Sequence, residues 1–277
     1  FDKGGSQVRS EMFTAYKANR DETPEAIKIA VPYIQEILKA MHIPVVELAG
    51  CEADDLIGTI AQQAEKQGYQ VFMVTPDKDF AQLVTENIFM YRPARMGNDI
   101  EIWGVQQVLD RFEIERTEQV IDFLGMMGDA VDNIPGLPGV GEKTAKKFLK
   151  EYGSMENLLA NTHQLKGKMR ENIENNKELG ILSKKLATII TECDVTFDEH
   201  DYELTKPDTE KVEVLFNELE FRRMADQFHK LFAHGEEYDQ INPDNADTPI
   251  APAKKSSKKD ENQTNLFGFG DEDADTA

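Results

Sequence analysis

Acidic residues recur at four places along the chain where they could act together. Asp2 stands at the end of a short apolar start, and Glu52, Asp54 and Asp55 open a helical pattern. Asp77 and Asp79 follow the apolar run 71–75, and Asp129 and Asp132 lie within Gly128-Asp129-Ala130-Val131-Asp132-Asn133. In a parallel sheet, residues just past the carboxyl ends of strands gather at one edge. Three of the groups would meet there, and the fourth could reach in from a following segment. Carboxylates gathered without basic partners repel, and each is pushed towards protonation. Divalent cations remove that conflict. Oxygen ligands without His or Cys favour Mg²⁺ or Mn²⁺. Two such ions about 4 Å apart can activate a water and stabilise a leaving oxygen on phosphorus. Taken singly, each group is an ordinary helix-start or turn acid. Taken jointly, they point to metal. No stretch has the spacing of a calcium-binding loop.

Two further segments suit an anionic partner. The run Ile134-Pro135-Gly136-Leu137-Pro138-Gly139-Val140-Gly141-Glu142-Lys143-Thr144-Ala145 leads straight into a helical pattern, with Lys146, Lys147 and Lys150 following. Closely spaced glycines let backbone N–H groups approach a phosphate, and a helix N-terminus favours that charge. The Gly-Lys-Ser/Thr ending of a nucleotide-binding P-loop is missing, so a helix–loop–helix on a DNA backbone fits better. A tight turn with a solvated Lys face is the bland equivalent. Near the start, Arg9, Tyr16-Lys17-Ala18-Asn19-Arg20 and Lys28 offer cations that could neutralise a phosphate, and a ring that could stack on a base.

The elements that must position these groups are legible from periodicity. Apolar residues at helical spacing run from Ile27 to Met41, and from Leu56 to Ala64. Segments 43–48, 71–75 and 88–91 read as short strands. Helices between short buried strands imply an α/β layer with a mostly parallel sheet over residues 1–103. From Gly104 the pattern is all-helical, with helices expected over 105–112, 120–127, 144–152, 154–160, 169–190 and 209–232, the last broken near Glu220. A helical domain is therefore expected over 104–235. Residues 236–277, rich in Pro, Asn, Asp, Lys and Ser, read as a disordered acidic tail or linker. Phe1-Asp2 reads as the end of a buried strand, so a fragment is expected.

Composition bounds the alternatives. The 277 residues carry 31 Lys+Arg against 52 Asp+Glu, a net charge of −21, with 40% apolar and 30% charged residues. That balance argues against a sequence-independent DNA coat, which would be basic. The charge is uneven, however: residues 136–190 sum to +4 and residues 236–277 to −7. A basic block in an acidic chain suits an anionic ligand at that block. Cys51 and Cys193 are the 2 cysteines, too few for a disulfide framework. No apolar run reaches membrane-spanning length and no secretory signal is visible, so a cytoplasmic location is expected.

The segments Phe1-Asp2-Lys3, Tyr16 to Arg20, Glu52-Ala53-Asp54-Asp55, Asp77-Lys78-Asp79, Gly128 to Gly136 and Gly139 to Ala145 occur in this order. As an ordered set over roughly residues 1–232 they resemble the 5′→3′ exonuclease domain of bacterial DNA polymerase I, in the 5′-nuclease or flap endonuclease superfamily. The resemblance implies a PIN-like α/β domain followed by a helix–three-turn–helix (SAM-like) DNA-binding domain. It implies two-metal hydrolysis of 5′ flaps and of RNA primers on DNA, with Mg²⁺ or Mn²⁺ as cofactor. Asp2, Glu52, Asp54, Asp55, Asp77, Asp79, Asp129 and Asp132 would hold the ions. Lys17 and Arg20 would face the phosphate with Tyr16 beside them. Gly136, Gly139 and Gly141, with Lys143, Thr144, Lys146 and Lys147, would hold the duplex backbone, the turn through a K⁺ ion. The family's first strand, with one more metal Asp, would precede Phe1, and a polymerase domain would follow. Cys51 and Pro76 stand where the family usually has an aromatic and a small residue. Gln263-Thr264-Asn265-Leu266-Phe267 is similar to the peptide by which replication proteins dock on the sliding clamp. The expectation is thus a bacterial, nucleoid-associated nuclease for branched or nicked DNA. Its rivals are a non-catalytic structure-selective DNA-binding module and a PIN-type ribonuclease.

Overall fold

The computed structural model describes residues 1–94 and 99–232. The tail with the clamp-like pentapeptide lies outside the described residues. Ser6 caps the first helix, α1 (Gln7–Met12), by accepting the Arg9 N–H. The periodic run from Ile27 forms α2 (Glu25–Ala40), and α3 (Ala53–Lys66) follows with a capping box between Glu52 and Asp55. Strand β1 (Val71–Val74) is joined by a 3₁₀ turn (Lys78–Leu83) to β2 (Ile88–Arg92), and β3 (Glu101–Trp103) completes the sheet.

The sheet order is β1-β2-β3, with β1 parallel to β2 and β2 antiparallel to β3. The described sheet is therefore small and mixed, where a mostly parallel one was expected. Segment 43–48 has no regular secondary structure and pairs with no strand among the described residues. The amino group of Phe1 donates to the Val46 carbonyl at 2.9 Å, and Gly50 bridges Ser6 instead.

Seven further helices belong to the helical part of the same compact unit, Phe1–Glu220. They are α4 (Val105–Phe112), α5 (Gln119–Met127), α6 (Glu142–Tyr152), α7 (Met155–Ala160), α8 (Gly167–Asn175), α9 (Lys177–Ala187) and the short α10 (Glu199–Tyr202). An eighth, α11 (Thr209–Glu218), closes the unit. A second unit begins at Phe221, and α12 (Arg222–Phe232) lies in it. The break expected near Glu220 is present, with Glu220 left-handed at φ 56°. The single helix expected over 169–190 is instead two, interrupted at Asn176 (φ −123°, ψ 25°).

One hydrophobic core runs through both parts of the first unit. Met73, Ile88 and Met90 of the sheet are buried with Val108, Phe112, Val120, Phe123 and Met126 of α4 and α5, and with Phe148, Leu158 and Ile173 beyond. Helix α5 packs closely on α9: a Cβ at Gly125 would lie 2.6 Å from the Lys184 Cα, so only glycine fits.

After α9 the chain runs along α3 without regular structure. Asp55, Thr59, Gln63 and Gln67 recur every four residues on one face of α3, the spacing that stacks side chains on a helix. The Ile190 N–H donates to Asp55 Oδ1 (2.8 Å), Cys193 N–H to Thr59 Oγ1 (3.1 Å) and Phe197 N–H to Gln63 Oε1 (2.7 Å). Gln63 and Gln67 in turn donate to the Val195 and Phe197 carbonyls. These bonds satisfy a backbone that has no ladder of its own.

Candidate active site

Asp54 and Asp55 are adjacent on α3 and so point about 100° apart. Their fates differ accordingly. Asp55 faces inwards and is fully buried. Arg9 of α1 grips it with two bonds of 2.7 Å, while the backbone N–H groups of Glu52 and Ile190 supply the rest of its partners. Arg9 also donates to the Leu186 and Thr188 carbonyls. Burial works against the Arg9 charge, but the Asp55 carboxylate more than offsets it and raises the pKa. Arg9 thus ties α1, the start of α3 and the end of α9 together, rather than lying free for phosphate. Asp55, with its oxygens occupied, is a structural acid.

Glu52 is held from three sides. It accepts the Tyr16 hydroxyl at 2.9 Å and Lys17 Nζ at 2.7 Å, and Arg9 lies 3.4 Å away. Burial and then the Glu52 charge raise the Tyr16 pKa, so the phenol stays a donor. Lys17 is also 3.6 Å from Asp132, and Arg20 pairs with the same carboxylate.

This brings the 13–20 segment onto the 129–134 loop. Lys17, left-handed at φ 53°, donates its N–H to the Asp132 carbonyl at 3.0 Å. Asn19 reaches the Ala130 carbonyl (2.9 Å), and Asn133 reaches that of Ala15 (2.6 Å). Asp129 accepts the Val131 N–H at 2.7 Å and shapes the loop. Gly128 and Gly136 close its base. Both have positive φ (73° and 65°), and a Cβ on either would meet the other strand of the loop within 2.7 Å. Asn19 and Asn133 were not singled out from sequence. Asn133 carries a signal only in hindsight, as a left-handed residue before Ile134-Pro135 (φ 56°).

The remaining acids are differently placed. Asp2 accepts the Ala53 N–H at the start of α3 (2.7 Å), and Asp77 accepts the Asp79 N–H (3.0 Å), capping the 3₁₀ turn after β1. None of Asp2, Asp54, Asp77 and Asp79 has a salt-bridge partner among the described residues. Burial, together with the charges of Glu52, Asp77 and Asp2, pushes Asp54 up to about 6 despite Lys17 nearby. Burial, then Asp77, and further Asp129 and Asp132, push Asp79 up to about 7. One oxygen of Asp79 is buried with no hydrogen-bond partner.

The four acidic groups therefore sense one another's charge, as the sequence implies. They do not form a closed cage: among the described residues, no three His, Cys, Asp or Glu side chains are arranged to hold an ion. The cations Arg9, Lys17 and Arg20 draw Glu52, Asp55 and Asp132 to themselves. What is left suits a hard divalent ion: oxygen-only donors, two of them held against their own charge, and an orphaned carboxylate oxygen that water or a cation would satisfy.

The glycine turn leads into α6 as expected, with Gly139 left-handed at φ 83° and Gly141 at the N-cap. Lys143 and Lys147 are exposed, and Thr144 is half-buried. Lys146 differs: it is largely covered and paired with Glu142 (3.0 Å) and Glu113 (3.1 Å). Gly136 donates to Ser183 Oγ at 3.0 Å, anchoring the turn on α9.

Residues 1–113 match the family model of the 5′-3′ exonuclease N-terminal resolvase-like domain, and residues 115–210 that of the 5′-3′ exonuclease C-terminal SAM fold. The class is therefore a two-part fold, a resolvase-like (PIN-like) domain followed by a SAM-like one. The chain belongs to the 5′→3′ exonuclease family. It is 38% identical to a 5′-3′ exonuclease of Aquifex aeolicus over 232 residues, 84% of this chain and 78% of that one. It is 39% identical to DNA polymerase I of Bacillus caldotenax over 228 residues, 82% of this chain. It spans about a quarter of that relative's length (26%). Among solved structures, a T5 flap endonuclease in complex with DNA and metal ions is similar at a TM-score of 0.58 and 25% identity, covering 69% of this chain and 73% of that one. Among the described residues, no helix is long and apolar enough to cross a membrane.

Proposed function

We propose that the chain is the nuclease module of a bacterial DNA polymerase I, hydrolysing phosphodiester bonds at 5′ flaps and at RNA–DNA primer junctions. The observation that carries the proposal is the group Asp2, Asp54, Asp77 and Asp79 beside β1 and α3, unpaired by cations and including an orphaned buried carboxylate oxygen, in a chain of this family. These residues, with Asp129 at the loop edge, would hold Mg²⁺ or Mn²⁺. Bound there, such ions would supply activation of a water and charge stabilisation at the leaving oxygen. Glu52 and Asp132 take a different part, orienting Tyr16, Lys17 and Arg20. Arg20 is half-exposed and Lys17 sits between two acids, so each would meet an entering phosphate by exchanging a carboxylate partner for it. The N-terminus of α6 with Lys143 and Lys147 would track the duplex backbone, and the left-handed turn at Gly139 leaves backbone exposed to it or to a K⁺ ion.

The non-catalytic rival is disfavoured, because a binding module has no use for acids held up to about 6 and 7 in a group without cations. Cleavage of a labelled 5′-flap duplex in Mg²⁺ is the test. Asp54→Asn and Asp79→Asn are expected to lower the rate by orders of magnitude while largely sparing duplex affinity. Unchanged turnover in both would overturn the proposal.

A further inference from the structure

The two cysteines lie 142 positions apart in sequence and meet in the fold. The Cys193 thiol donates to Cys51 Sγ at 2.8 Å. Each is fixed by its neighbours. Cys51 ends a turn closed by its own N–H to the Leu48 carbonyl (3.3 Å), beside Gly50 at φ 88°, and that turn is pinned to α1 by Gln7 N–H to Gly50 O (3.1 Å). Cys193 hangs on Thr59 of α3 through its N–H, in the middle of the irregular strip that α3 holds by side chains alone. Cys51 is partly exposed and Cys193 is buried. The sulfurs thus face each other from two anchored segments, within about 1 Å of bonding distance.

We propose that Cys51 and Cys193 are a modification site: a dithiol that a peroxide converts to an intramolecular disulfide, stapling the 190–197 strip to the turn that precedes Glu52. The accessible Cys51 thiol is oxidised first. Its sulfur takes an oxygen from the peroxide to give a sulfenic acid, and one water leaves. The Cys193 sulfur then displaces that hydroxyl, its proton leaves with it as a second water, and the S–S bond forms. The dithiol loses two electrons and the peroxide gains them. Burial, and then the hydrogen bond to Cys51, push the Cys193 thiol up, so the partly exposed Cys51 and not Cys193 is the first target. A thiol reductant reverses the bond. In a reducing cytosol the pair stays open, and oxidant closes it.

The closed loop is long, so the covalent form should resist unfolding better. The test treats the full chain with hydrogen peroxide in slight excess and reads thiol titre, intact mass and linked peptides. Wild type is expected to lose both thiols, to stay monomeric with its mass lower by two hydrogens, and to yield a peptide joining Cys51 to Cys193. Its Tm is expected to rise by roughly 5 °C or more, reversed by dithiothreitol. Cys193→Ser should leave Cys51 to accumulate sulfinic acid with no rise in Tm, and Cys51→Ser should keep its thiol unreacted in the native state. Over-oxidation of Cys51 in wild type with Cys193 still free, or disulfide-linked dimers, would overturn the proposal.

Discussion

Replacing Arg9 by Met tests whether Asp55 is a structural acid or an ion ligand. The variant keeps the length and apolar character of the stem but removes a guanidinium that serves two carboxylates and two carbonyls. Asp55 is left fully buried, with only the Glu52 and Ile190 N–H groups beside it. Removing one partner of a buried pair typically costs about 3–5 kcal/mol. The surviving N–H donors soften the loss, and the orphaned Leu186 and Thr188 carbonyls add about 1 kcal/mol each, so about 4 kcal/mol is expected. For a chain of this size that is a fall in Tm of roughly 10 °C. Urea unfolding followed by circular dichroism, in EDTA, measures it. Arg9→Met with Asp55→Leu should recover part of the loss, because the uncompensated buried charge is gone while the Leu186 and Thr188 carbonyls and the Glu52 and Ile190 N–H groups stay unpaired. A loss below about 1 kcal/mol in the single variant, or a double variant no more stable than it, would refute the structural assignment.

Two further outcomes follow from the charges. Asp79 has a folded pKa of about 7 against an ordinary value of 3.8. The folded state therefore holds its proton more tightly, and in metal-free protein this group's contribution is favourable at low pH and lost as pH rises from about 4 to about 7. Asp79→Asn should be more stable than wild type by roughly 2 kcal/mol at pH 8 and equal to it at pH 4, since a three-unit shift bounds the effect at about 4 kcal/mol; thermal melts across that range in EDTA would show no pH-dependent difference if the carboxylate were solvated. For duplex binding, Lys143→Ala with Lys147→Ala should flatten the slope of log affinity against log salt by about 2. Lys146→Ala, whose charge already rests on Glu142 and Glu113, should leave the slope nearly unchanged; equal slopes for the two variants would count against the α6 interface.

Local pattern carried much of this far. The helical spacing of Ile27 to Leu38 and of Leu56 to Ala64, the apolar runs at Val71 and Ile88, and the break at Glu220 each name an element that the structure contains. These depend on near neighbours. Segment 43–48 has the composition of a strand but finds no ladder among the described residues, because pairing is set by a partner strand and not by its own residues. The end of α9 at Ala187 answers to a long-range need, because the chain must come free to lie along α3. The acids were legible as a group but not in their division. Arg9 reads as one more surface cation, and nothing local reveals that Asp55, 46 positions on, will bury it. The helical angle between Asp54 and Asp55 was the available signal that both could not face one ion.

The nuclease assignment requires Asp2, Asp54, Asp77 and Asp79 to share divalent ions. Titration of the chain with Mn²⁺, following the free ion by electron paramagnetic resonance, addresses this without reference to DNA or turnover. Wild type should deplete the free-ion signal, and Asp54→Asn combined with Asp79→Asn should weaken binding at least tenfold while the circular dichroism spectrum stays unchanged. Equal depletion by wild type and the double variant would contradict it.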